Sequence, residues 1–301
     1  AGYYTDKEKE ISKSKVNIVN LFYQKIFEEI LFKEEMGAMK VKRIAIITGA
    51  TGGLGREFVR LLLKEKNIDE IWALARNEKK LGRLKEKFGR KIKIYSIDLA
   101  SVRQIRCFEE ELKQEAQRQK LEISYLINNA GFAKFCSYGD LSIEESLNMI
   151  HVNIDAVVAM GLVCIPYMKK DSHLINIASQ ASFQPLPYQN IYSSTKSFVR
   201  NYSRALNVEL KEKGIYVTAV CPGWIKTDLY KRAEIGARKA TTRYVGMVTP
   251  DKVAKKALKD AKKGKDISIY SLFTKISHVA AKLLPQRIMM KIWLKQQHLD
   301  N

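Results

Sequence analysis

From residue 43 onward, short apolar runs alternate with longer stretches whose apolar residues recur at helical spacing. The isoleucine-rich run at 43–48 predicts a buried strand, and 53–66 follows with Leu54, Phe58, Leu61 and Leu62 on one helical face. The alternation then repeats. A strand is expected at 69–75, a charged helix holding Leu81 and Leu84 at 77–88, and a strand at 91–97. A polar helix capped by Ser101 reaches about Lys120, and a strand follows at 122–127. Residues 142–168 predict one or two helices, 172–178 a strand, 191–213 a long helix and 215–220 a strand. Such alternation predicts an α/β architecture, a parallel sheet covered by helices on both faces and joined by right-handed crossovers. No repeat with a period of 20–50 residues and no low-complexity linker interrupts it.

Two flanking segments depart from this rhythm. Residues 1–38 form an extension in which Phe22, Ile26, Ile30 and Leu31 predict an amphipathic helix, with Lys25, Glu28 and Glu29 between them. The alternating region gives one domain at 39–270, and a tail follows at 271–301. In the tail, Leu272, Phe273, Ile276, Val279, Ala280, Leu283 and Leu284 precede Pro285, and Ile288, Met289, Ile292 and Trp293 follow it. Lys275, Lys282, Arg287, Lys291 and Lys295 are interspersed. A basic amphipathic tail of this kind packs on its own domain, closes a pocket, covers a partner subunit or makes peripheral contact with an anionic membrane.

Composition narrows the class. A hydrophobic fraction of 46% over 301 residues is enough for a substantial core. No membrane span is expected, because the longest mostly apolar run, 152–168, is broken by Asn153, Asp155 and Pro166. Lys7, Glu8, Lys9 and Glu10 stand where a secretory leader would be apolar. Cys107, Cys136, Cys164 and Cys221 show no paired spacing, so free thiols in a reducing cytoplasm are expected. The net charge of +21, from 53 basic and 32 acidic residues, suits acidic proteins, anionic lipids or phosphorylated cofactors. Nucleic acid is not expected as a partner, since no zinc-finger or RNP pattern accompanies the charge. His151, His173, His278 and His298 share no metal-ligand spacing, so no metal is expected.

Two constellations carry chemistry. Gly49, Gly53 and Gly55 follow the first predicted strand and open the helix after it. Glycines there let the backbone approach a pyrophosphate, and a helix N-terminus offers it free N–H groups. An acidic residue facing a ribose would stand at the end of the second strand, where the chain instead reads Ala75-Arg76-Asn77. Arg76 suits a 2′-phosphate, which favours NADP(H) while leaving NAD(H) open. The second constellation is Ser179, Tyr192 and Lys196. Tyr192 and Lys196 are four residues apart, on one helix face, where an ammonium is expected to lower the phenol pKa. Ser179, just after a strand, can hold a substrate oxygen against that phenol.

With these motifs in place, the chain resembles the short-chain dehydrogenase/reductase family, in its single-domain branch, over about residues 40–270. The resemblance rests on Thr48–Gly55, Asp98-Leu99, Asn128-Asn129-Ala130-Gly131, Val152-Asn153, Ser179, the Tyr192–Lys196 segment and the Pro222–Thr227 segment. It implies a three-layer Rossmann-type, doubly wound parallel sheet and a nicotinamide cofactor. It adds Thr51, Leu54, Leu99, Ala130, Gly131, Pro222 and Gly223 to the cofactor-binding set. Asp98 would bond the adenine, and Asn128 would lie along the adenosine side and tie down a central strand. Asn153 would hold a water in a proton relay with Lys196, which would also bind the ribose hydroxyls, while Ile225 and Thr227 would contact the carboxamide. It further implies a homo-oligomer formed through the long helices and a lid at 224–250 over an apolar substrate, steroid-like or 3-oxoacyl-like, to which the cations of that stretch add room for an anionic group. The competing reading is a non-catalytic nucleotide-sensing or interaction protein on the same fold, which the intact Ser/Tyr/Lys set disfavours.

Overall fold

The computed structural model describes residues 40–227 and 243–299, with Lys25, Ile26, Ala233 and Thr241. The helix expected within 1–38, apart from Lys25 and Ile26, and the central part of the lid expected at 224–250, apart from Ala233 and Thr241, lie outside the described residues. The strands are β1 (Lys42–Thr48), β2 (Glu70–Ala75), β3 (Ile92–Ser96), β4 (Leu121–Asn128), β5 (His173–Ile177), β6 (Tyr216–Val220) and β7 (Ile267–Ser268). They form one sheet in the order β3-β2-β1-β4-β5-β6-β7, with every pairing parallel. The order reverses between β1 and β4, which leaves a crevice beyond the carboxyl ends of those two strands.

The helices are α1 (Gly53–Leu62), α2 (Glu78–Phe88), α3 (Val102–Arg118), α4 (Ile143–Ile150), α5 (Ala156–Cys164), α6 (Asn190–Glu209), α7 (Pro250–Ala261), α8 (Leu272–Leu283) and α9 (Gln286–Gln297). Their two layers explain why residues 44–47 of β1 are apolar without alternation. Ala45 and Ile47 pack with Phe58, Val59 and Leu62 of α1 and with Val253 and Ala257 of α7. Ile44 and Ile46 point to the other face, against Ile105, Phe108 and Leu112 of α3 and Met160 of α5. A strand buried on both faces loses the alternating pattern of a one-sided sheet.

Residues 142–168 resolve into α4, a π-helical turn at His151–Asp155, α5 and a 3-10 turn at Ile165–Tyr167. This run, Ile143–Tyr167, is long and apolar enough to cross a membrane by length and composition, yet half of its most apolar window is buried inside the fold. It packs as a core helix, with Asn153 fully buried and Met160 and Cys164 among the apolar residues of one layer. Helix α7 and strand β7 went unpredicted from sequence, although Thr249-Pro250-Asp251 is a helix-start signature and β7 is only two residues long.

Candidate active site

The glycine turn is built by close contact. Gly49 follows β1 in the left-handed conformation at φ 62°, and Gly52 N donates to its carbonyl at 3.0 Å. A Cβ on Gly55 would lie 2.3 Å from that same Gly49 oxygen, so only glycine lets α1 start so close to the strand. Gly52 caps α1 without a side-chain bond, and no acid occupies the first turn. The N-terminal N–H groups and the positive end of the helix dipole are thus left to an anion.

Two residues outside the expected set clamp this turn to the next strand. The Thr48 hydroxyl accepts from Asn129 N and Ala130 N, both at 3.0 Å. The Asn129 amide donates to Thr48 O and Gly49 O, both at 3.1 Å. The pair of adjacent asparagines was the available signal, and the second of them holds the turn.

A cavity of about 1470 Å³ runs from the ends of β2 and β3, across the glycine turn, to α8 and α9. It exceeds the roughly 300–1,000 Å³ of a typical small-molecule pocket, which leaves room for a dinucleotide and a second molecule together. Gly49, Thr51, Gly53 and Leu54 line it, as do Arg76, Asp98, Leu99, Ala130 and Gly131. Ser179, Tyr192, Lys196, Pro222, Gly223, Ile225 and Thr227 line it as well. The fit to an extended, phosphate-bearing cofactor rests on the uncapped helix end and on the length of the cavity, and two lining glycines are packed too closely against neighbouring side chains to carry a Cβ. A Cβ on Gly53 would meet Thr227 Cγ2 at 2.9 Å, and one on Gly131 would meet Asn153 Oδ1 at 2.9 Å.

Three of the expected residues stand behind the wall instead of on it. Gly55 supports the turn from below. The Asn128 amide points into the core, donating to Asn176 Oδ1 at 2.9 Å, and Asn176 in turn donates to Ser203 Oγ at 2.9 Å. This buried chain ties β4, β5 and α6 together. Asn153 is fully buried, accepting from Phe132 N at 3.1 Å and donating to Phe132 O at 3.0 Å and Thr195 Oγ1 at 3.1 Å. Its side-chain bonds hold the loop carrying Gly131 against α6, from within the π-helical turn. Asp98 lines the cavity but also closes its own turn, accepting from Ala100 N at 3.1 Å.

The reacting constellation converges. Along α6, Lys196, Val199 and Ser203 are buried on one face, and Tyr192 begins that row one turn earlier. The Ser179 hydroxyl and the Tyr192 phenol both line the cavity, near enough that the serine bears on the phenol's ionisation. Lys196 Nζ lies 5.9 Å from the Tyr192 ring centroid and donates to Ile177 O at 2.8 Å. Ser179 Oγ also accepts from Ala181 N at 3.1 Å, which fixes its rotamer at the mouth of β5.

Electrostatics here differ from the sequence expectation. Burial raises the Tyr192 phenol pKa, and the neighbouring Ser179 hydroxyl opposes that rise. Burial also lowers Lys196, from 10.5 to about 8. The lysine's downward pull on the phenol is not expressed, because the buried ammonium is turned to a carbonyl. Each is biased toward its neutral form.

The far end of the cavity is aromatic. Trp224 stacks against Trp293 of α9 with centroids 6.5 Å apart and meets Phe135 edge-on at 6.0 Å, and Phe135 meets Tyr192 at 6.2 Å. Trp293 Nε1 donates to Pro187 O at 3.1 Å. Thr274, buried at the start of α8, bonds Gln180 Oε1 at 3.3 Å beside Gly223. The tail therefore packs onto the domain and walls this end of the cavity. Nothing in the sequence marked Phe135 or Thr274, since their value lies in what the fold sets beside them.

Comparison with known proteins agrees with this geometry. Residues 43–237 match the family described as short chain dehydrogenase. Very-long-chain 3-oxoacyl-CoA reductase-B of Danio rerio is 30% identical over 266 residues, covering 85% of this chain and 80% of the relative. An uncharacterized oxidoreductase of Staphylococcus epidermidis is 28% identical over 203 residues, covering 66% of this chain and 86% of that protein. Among solved structures, a short-chain dehydrogenase from Sphingobium yanoikuyae in complex with NADPH aligns with a TM-score of 0.67 at 26% identity, covering 82% of this chain and 95% of that one. The chain belongs to the short-chain dehydrogenase family. It is an oxidoreductase acting between a hydroxyl and a carbonyl group with a nicotinamide cofactor.

Proposed function

We propose that this oxidoreductase interconverts a bulky apolar ketone and its secondary alcohol with NADP(H) in preference to NAD(H). The observation that carries the reading is the Tyr192–Ser179 hydroxyl pair, set in the cavity beside an aromatic wall. When bound, the cofactor supplies the two-electron chemistry at the substrate carbon. Tyr192 gives its proton to the developing alkoxide oxygen, a role its raised pKa suits because the phenol stays protonated at neutral pH. Ser179 donates a second hydrogen bond to the same oxygen and holds it in line. Lys196 binds the nicotinamide ribose hydroxyls, and Asn153 sustains the relay by fixing the Gly131–Phe132 loop.

The glycine turn and the α1 N-terminus hold the pyrophosphate, Asp98 the adenine, and Ile225 and Thr227 the carboxamide. The NADP preference draws on Arg76, joined along the lining by Arg56, Lys80 and Arg83, where β2 ends without a carboxylate. The apolar substrate draws on Trp224, Phe135, Leu186 and Trp293, and on the activity named for the Danio rerio relative. Exposed Leu162 on α5 and Phe198 and Val208 on α6 support a homo-oligomer, and three buried free thiols support a reducing, cytoplasmic setting.

The test is Tyr192→Phe in an NADPH-consumption assay over steroid ketones and 3-oxoacyl thioesters. Turnover should fall by at least about 10²-fold, as for loss of a general acid, while NADPH still binds by fluorescence. Activity retained in that variant would remove Tyr192 from the chemistry.

A further inference from the structure

Helix α8 is amphipathic in an inverted sense, whereas α9 buries Met289 and Trp293 and exposes Ile288 and Ile292. The buried residue at the start of α8 is polar, Thr274, and a stripe of apolar side chains faces outward. Leu272 is 73% exposed, Ile276 60%, Val279 53% and Leu283 77%, at positions that fall on one face of the helix. Ile288 and Ile292 extend the stripe onto α9. No other part of the described chain covers it, and an apolar surface of this extent marks an interaction site.

Charge identifies what the stripe meets. Residues 271–299 contain no Asp or Glu, and Lys275, Lys282, Arg287, Lys291 and Lys295 are all exposed. A second copy would bring five like charges against five, whereas an anionic lipid headgroup layer neutralises them while its acyl region takes the leucines and isoleucines. The stripe is also continuous with the cavity: Phe273 and Ile276 of α8 and Ile292 of α9 line it and are themselves partly open to solvent.

We propose that α8–α9 is a docking surface for an anionic lipid bilayer, and that apolar substrate passes from the bilayer into the cavity along it. The delivery half rests on the apolar substrate argued above. The docking half stands without it, and its readout needs no turnover. Docking turns the Phe273–Ile292 side of the cavity toward lipid, so an insoluble substrate avoids crossing water.

The experiment is co-sedimentation of the full chain with vesicles of phosphatidylcholine alone and with phosphatidylserine added. The parent protein should bind the mixed vesicles at least about tenfold better than the neutral ones, with added salt weakening the difference. Leu272, Val279 and Leu283 lie on the stripe but not on the cavity wall. The triple variant L272E/V279E/L283E should lose binding by at least about tenfold while keeping its thermal midpoint and NADPH affinity. A second variant, K275Q/K282Q/K291Q, leaves the stripe intact and should lose only the dependence on anionic lipid. The proposal is overturned if the parent stays in solution with mixed vesicles, if the glutamate variant binds as well as the parent, or if light scattering shows the stripe pairing two copies without vesicle binding. A failure to reduce any ketone would refute the proposed reaction and leave the vesicle result standing.

Discussion

Lys196 is held in the fold at a thermodynamic disadvantage that can be measured. Its pKa falls from 10.5 to about 8 through burial, and the Cys221 sulfur only partly opposes that fall. The difference corresponds to roughly 3 kcal/mol of penalty for keeping the ammonium charged. Lys196→Met fills similar space without a charge but abandons the bond to Ile177 O, which costs about 1 kcal/mol. The variant should therefore be about 2 kcal/mol more stable than the parent at pH 7, and inactive. The sign with pH follows from proton binding. An unfolded lysine keeps its proton to about pH 10.5, whereas the folded one sheds it above about 8. The penalty is complete below pH 8, declines between pH 8 and 10.5, and is absent above that, so the parent gains stability on the methionine variant as pH rises. Urea unfolding of both proteins without cofactor at pH 7 and pH 9.5 reads this directly, with the gap shrinking from about 2 kcal/mol to about 0.4 kcal/mol at the higher pH. A methionine variant less stable than the parent at pH 7, or a gap unchanged with pH, would refute the account of a desolvated ammonium.

Two glycines of opposite surroundings test the packing of the turn. Gly55→Ala should lower stability by about 1–3 kcal/mol and weaken cofactor binding, because its Cβ would meet the Gly49 carbonyl, a backbone atom, at 2.3 Å. Gly82→Ala, in α2 with nothing within 4 Å of the new Cβ, should raise stability by about 0.5–1 kcal/mol, and thermal unfolding separates the two. Arg76→Ala should weaken NADPH at least about tenfold while changing NADH little, as expected for loss of a charge-assisted phosphate contact. Equal losses by fluorescence titration would sink the 2′-phosphate assignment.

Much of this protein is written locally. The alternation of apolar runs and helical faces determines a parallel sheet with two helical layers, because burial on both faces requires continuous apolar strands. The spacing of Tyr192 and Lys196 sets both on the inward row of α6, since four residues make about one helical turn. Gly49 and Gly55 define their turn through a backbone need that no other residue meets. Other properties depend on neighbours distant in the chain. Asn128 and Asn153 carry motif positions yet turn inward, because Asn176, Phe132 and Thr195 offer their amides better-satisfied bonds than the cavity does. The phenol is raised instead of lowered because desolvation, which depends on everything packed around it, outweighs a lysine turned toward Ile177. The tail's pattern announced amphipathic helices. Which face would be covered was decided when Trp293 reached Pro187 and Thr274 reached Gln180, leaving the apolar stripe outside. Periodicity travels along the chain and can be read there, whereas burial and partnership are sums over residues that only folding assembles.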